Sequence, residues 1–263
     1  MTLPAPRPIT DLGIRVLGWL PRPIDPALVR LVADNAAVTR GSGMALIEEI
    51  VARDPAMKLA AILAAVKLLA FGRSDQNQAL LERDNSRIEC GAGCAACCHQ
   101  DVEATIPEAI LVAAQIGGAA DPRHDAILAE AEASSSDAAQ KLGPRPCPLL
   151  QENRCSVYDV RPLACRAVFS PSAKKCNDSL VRVQRGETSS ATIAEIYAGP
   201  LFMSRGDQAG VLGICKDLGL QYDVVHLART VAMILRDPGT VERWLAGETV
   251  FPALGPVETV NPG

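Results

Sequence analysis

Aromatic side chains are scarce in this 263-residue chain, at 3% against 48% hydrophobic residues overall. A core poor in aromatics and rich in alanine favours helices packed through small side chains over an all-β architecture. Long basic runs are missing, as is any interleaving of aromatic with basic residues, and the net charge is −4. The electrostatic footprint of a nucleic-acid binder is therefore absent. The segment Met1 to Pro8 has neither the basic region nor the apolar run of a secretory signal. The most apolar stretch, Leu59 to Phe71, is interrupted by Lys67 and falls short of the roughly 20 residues of a membrane span. These absences lead to the expectation of a soluble cytoplasmic protein with reduced thiols and no nucleic-acid or membrane partner.

What the chain does have is cysteine, nine in all. Four of them, Cys90, Cys94, Cys97 and Cys98, lie within nine residues and are followed directly by His99. This density exceeds what small buried hydrophobes require. In a chain without an export signal it points to metal or iron–sulfur ligation before a disulfide framework. If the run is helical, all four thiols share one face. If Gly91 and Gly93 break the helix, the run forms a knuckle whose backbone amides point at the sulfurs. Cys97 and Cys98 are adjacent and are poorly suited to chelating the same ion. They serve either as one ligand and one free thiol, or as one ligand for each of two sites.

Five further cysteines follow, Cys147, Cys155, Cys165, Cys176 and Cys215. Arg145, Arg154, Arg161 and Arg166 lie within a few residues of the first three of these. Four thiolates around a zinc ion or an iron–sulfur core leave net negative charge, and the arginines are placed to offset it. Arg161 and Arg166 are the candidate cofactor-facing pair. His99 reads as a hydrogen-bonding neighbour of the site. Cys215, in an apolar helical pattern, is expected in the core. His124 and His226, single histidines in helical patterns, are given structural or surface roles.

Four Asp-Pro pairs, in which Asp caps and Pro takes the first helical position, mark helices at about 26–39, 55–71, 122–141 and 238–246. Gly41, Gly72, Gly143 and Gly247 are their expected stops. Further helices are expected at about 44–52, 190–198, 207–218 and 223–235. Thr105 and Glu108 form a capping box for a helix ended by Gly117-Gly118. The polar stretch from Arg73 to Asn85 is either a connector or a solvated helix. Ser134 and its neighbours suggest an exposed face. Two apolar segments around Gln151 to Arg154 predict a small hairpin that brings Cys147 towards Cys155, and a short helix capped by Asp159 carries Cys165 and Arg166. The expected fold is mainly α, with a Cys-rich, loop-dominated core and one short β-hairpin. It divides into a helical region 1–80, a cysteine-cluster core 86–180 and a helical region 181–263 that packs on the core.

The ordered blocks Cys90-x3-Cys94-x2-Cys97-Cys98, Cys147-Pro-Leu-Leu, Cys155-Ser-Val-Tyr158, Arg161-Pro-Leu-Ala-Cys165-Arg166 and Cys176 resemble the YkgJ-type cysteine-cluster family of zinc- or iron-chelating domains. The resemblance covers about 88–180. It implies metal binding by Cys90, Cys94, Cys97, Cys98, Cys147, Cys155, Cys165 and Cys176, and implies little about reaction. The same core is similar to that of flagellin lysine N-methylases, which raises an enzymatic alternative. The expected cofactor is an iron–sulfur cluster, [4Fe–4S] in the favoured form, or zinc. A third reading is a zinc-stapled domain whose helical flanks bind a protein partner.

Overall fold

The computed structural model describes residues 26–83, 87–91, 93–116, 121–133, 145–187 and 196–254. Among the described residues helices dominate, with two small antiparallel sheets. The chain opens with α1 (Pro26–Arg53), a 3-10 turn (Pro55–Met57) capped by Asp54, and α2 (Lys58–Ala65). A π-helical turn (Val66–Phe71) then leads into α3 (Gly72–Arg83). The cysteine run follows, ending in a 3-10 turn (Ala96–His99). Next come β1 (Glu103–Thr105), α4 (Ile106–Gln115) and α5 (Pro122–Ala133). The hairpin strands are β2 (Leu150–Gln151) and β3 (Arg154–Cys155), and α6 is Leu163–Arg166. The chain continues through α7 (Ala173–Gln184), α8 (Ala198–Asp217), β4 (Val224–His226), α9 (Leu227–Arg236) and α10 (Gly239–Leu245).

Two of the expected helix stops do not stop helices. The helices expected at 26–39 and 44–52 are one, α1, which runs through Gly41 and Gly43. Its reason is tertiary: α1 lies along α8, and a Cβ at Gly43 would come within 2.4 Å of Ile214 Cδ1. Gly72 likewise sits inside a continuous helical run, so the stretch after it is helix and not a connector. That run, Pro55–Arg83, is by length and composition alone long and apolar enough to cross a membrane, unlike the shorter stretch read from sequence. Ala61, Ile62, Ala65, Val66, Ala70 and Phe71 on it are buried in the core. Gly247, with φ of 92°, does follow α10 closely.

The other differences come from long-range pairing. α7 was not foreseen, and α8 begins nine residues before the expected start of its helix. Residues 224–226, expected to be helical, form β4 and pair with β1 in the register Glu103 to His226 and Thr105 to Val224. Most of the helix expected at 190–198, the end of that expected to reach 141, Ser134, Gly117-Gly118 and Gly143 lie outside the described residues. The capping box of Thr105 and Glu108, the hairpin and the short helix carrying Cys165 are present, but that helix starts after Pro162, and Asp159, expected to cap it, lies in the preceding 3-10 turn (Tyr158–Val160).

The α1–α8 contact is close-packed through glycines. Gly206, Gly210 and Gly213 line one face of α8, and a Cβ at Gly210 would lie 2.6 Å from Thr39 Cβ and 2.9 Å from the Ala36 carbonyl. Between them Asp207, fully buried, accepts from Asn35 Nδ2 at 2.9 Å and Thr39 Oγ1 at 2.7 Å, with Arg73 Nε 3.1 Å away. One apolar cluster runs from Ile47 through Ile106, Leu149 and Leu163 to Trp244 and Phe251. Cys147 and Cys155 pack on its margin, so the cysteine segment is built onto the helical core.

Candidate metal centre

The run from Cys90 to Cys98 is a knuckle and not a helix. Gly93, with φ of 90°, turns the chain in a conformation that residues with a Cβ avoid, and Cys94 N donates to Gly91 O at 3.0 Å. Cys90 is held from the other side of the segment: Ser170 N donates to its sulfur at 3.1 Å, and Glu89 N donates to Ser170 O at 3.0 Å. Glu89 Oε2 also accepts from Ala173 N at 2.9 Å, which fixes the start of α7 and so positions Cys176. α7 in turn lies against the Ala96–His99 turn.

The second half of the segment is pinned differently. Cys147 N donates to Cys98 O at 2.6 Å, and Leu150 N donates to Cys147 O at 2.9 Å. The hairpin then pairs Leu150 with Cys155, turning through Glu152 and Asn153, both with positive φ as a two-residue hairpin turn of this hand requires. Cys165 lies in α6, whose first amide, Leu163 N, donates to Glu108 Oε1 at 2.6 Å. Glu108 Oε2 accepts from Thr105 N at 2.7 Å, so one fully buried carboxylate ties α6 to the start of α4.

Ser170 N is the backbone donor to Cys90 Sγ, and the backbone at Ala96, Leu149 and Val157 lowers the pKa of Cys94, Cys147 and Cys155 in turn. An N–H aimed at sulfur favours the thiolate, the form that ligates metal. Burial opposes it: it is the main cause pushing up Cys90, Cys94, Cys155 and Cys165, and it takes Cys147 to about 11. Cys97 is pushed up first by its hydrogen bond with Cys98 and then by burial. Without a cation these thiols hold their protons, and a bound metal would have to displace them.

Charge is supplied from one side. Arg161, with its guanidinium carbon 4.1 Å from the Tyr158 ring centre, acts on Cys97, Cys155 and Cys165. Arg166 acts on Cys155 but is itself buried. It pairs with Asp75 at 2.8 Å, donates to Arg161 O and Asp159 O, and stacks over Phe71 at 4.2 Å. Arg145 pairs with Glu130 at 3.2 Å, and Arg154 is exposed. His99 Nδ1 lies 3.0 Å from Ala95 O and donates to that carbonyl. Cys215 is fully buried on α8 within the apolar core, and burial pushes its thiol up to about 12. His226 accepts from Arg229 N at the start of α9 and turns Nε2 towards Asp101, 3.4 Å away.

Residues 89–181 match the family model CxxCxxCC, described as a "putative zinc- or iron-chelating domain". The match covers about a third of the chain, and it is this segment that is similar to CxxCxxCC domains. Its first gap in this chain is three residues, Cys90 to Cys94, and includes the Gly93 turn. Searches of curated proteins and of solved structures gave no significant match. The family description supports metal binding, and the donor set of the segment fits it. Its eight thiols are free, they arrive from four parts of the segment, and Cys90 accepts a backbone N–H bond from Ser170. Among the described residues, no three Cys, His, Asp or Glu side chains are already arranged as a ligand set, so binding would have to draw the thiols together.

Sequence reading missed the groups that position the cysteines. Ser170, Glu89 and Asp75 carry no motif. Glu108 was legible as a cap, but its second bond, to Leu163 N, spans 55 residues and leaves no local signal.

Proposed function

We propose that this cysteine segment holds an iron–sulfur centre through Cys90, Cys94, Cys97, Cys98, Cys147, Cys155, Cys165 and Cys176. The observation that carries the reading is the gathering of eight free thiols on one fastened segment, with Ser170 N donating to Cys90 Sγ at 3.1 Å. Hydrogen bonds to cluster sulfurs are a main means by which proteins hold and tune such centres. Zinc uses the same knuckles, but a structural zinc site closes with four ligands, and eight thiols exceed that number. Arg161 compensates the negative charge of the bound thiolates, with Arg166 holding the Arg161 carbonyl in place. The reading places the protein in the reducing cytoplasm, where the thiols stay free.

Metal content of serine variants tests the ligand assignment. Cys94→Ser and Cys97→Ser should lose bound metal and lower the stability of the domain, whereas Cys215→Ser should keep the metal of the parent. Equal loss in all three, or no loss in the first two, would refute the assignment.

A further inference from the structure

We propose that the eight thiols form two separate tetrathiolate sites, Cys90, Cys94 and Cys176 in one and Cys147, Cys155 and Cys165 in the other, with the adjacent Cys97 and Cys98 giving one thiol to each. This rests on the metal-binding reading above and adds the number of sites and their membership.

The backbone already divides the ligands in this way. Cys90 is fastened to Ser170, and Glu89 is fastened to Ser170 and Ala173, so the knuckle and the start of α7 move as one unit. Cys147 is fastened to Cys98, the hairpin joins Cys147 to Cys155, and Glu108 anchors the helix bearing Cys165.

The pair at the border is suited to being shared. Cys97 and Cys98 lie in a 3-10 turn, where successive side chains project about 120° apart. One thiol of the pair can therefore face each group. Each group of three lacks one ligand for a closed tetrathiolate site, and the pair supplies two. One short cysteine run that serves two centres is an arrangement known from two-cluster ferredoxins.

The test is titration of the reduced, metal-free full chain with cobalt(II) under exclusion of oxygen, following thiolate-to-cobalt charge transfer and the intense visible bands of tetrahedral cobalt. The parent should bind two equivalents per chain. Cys94→Ser/Cys176→Ser and Cys155→Ser/Cys165→Ser should each bind one, and Cys215→Ser should bind two. A parent that saturates at one equivalent would overturn the two-site division whatever the variants do, as would either double variant binding none while Cys215→Ser binds two. A parent that binds no cobalt, zinc or iron at all would instead overturn the metal-binding reading itself.

Discussion

Glu108 offers a sharp test of how the helical core positions the cysteines. Its carboxylate is fully buried and accepts two backbone N–H bonds, from Thr105 at 2.7 Å and from Leu163 at 2.6 Å. Burial raises its pKa, and the two amide bonds pull it down. Glu108→Ala would leave both amides buried without an acceptor and open a small cavity. Each orphaned donor costs about 1–3 kcal/mol, so we expect a total loss of about 3–5 kcal/mol. Glu108→Gln keeps one acceptor oxygen but turns an NH2 towards the other amide, for an expected loss of about 1–3 kcal/mol. Denaturant unfolding of the metal-free protein measures both losses as a shift of midpoint at constant slope. Because Leu163 begins the helix that carries Cys165, the alanine variant should also bind metal more weakly than the parent. An alanine variant that loses less than about 1 kcal/mol, below the cost of one orphaned amide, would show that this carboxylate does not anchor α6.

Two further predictions concern the α1–α8 interface. Gly210→Ala places a methyl group 2.6 Å from Thr39 Cβ and should destabilise by about 1–3 kcal/mol or more, measured by the same unfolding experiment; a neutral variant would mean that the helices separate freely. Burial pushes the Asp207 carboxyl up to about 7, against the bonds from Thr39 and Asn35 and the charge of Arg73. Its folded pKa thus exceeds its unfolded value, so its contribution to stability is full below about pH 4 and is lost as pH rises towards 7. Asp207→Asn should flatten stability across that window, and an unchanged pH profile would show that Asp207 does not titrate there.

The helices that end at local signals were legible, because capping depends on residues close in sequence. Thr105 with Glu108, and Asp54 with Pro55, each define their turn. Gly41 and Gly72 misled because a glycine ends a helix only when the chain adopts positive φ there. At Gly43 the approach of Ile214 shows the competing use of glycine as room for another helix. β4 could not be read locally, since residues 224–226 become a strand by pairing with residues 103–105. In the candidate site, the cysteines announced themselves by density, and the choice between helix and knuckle was decided at Gly93. Their fastening to Ser170, Ala173 and Glu108 joins residues 55 to 84 apart and leaves no trace in spacing.

The central claim, that this cysteine segment holds an iron–sulfur centre, is tested most directly by iron, zinc and acid-labile sulfide content with a visible spectrum, on protein purified without oxygen. The account predicts brown protein with iron and sulfide in equal amounts, about four of each per chain for one cubane cluster or about eight for two. Colourless protein carrying zinc and no sulfide would contradict it and make the segment a zinc-stapled domain.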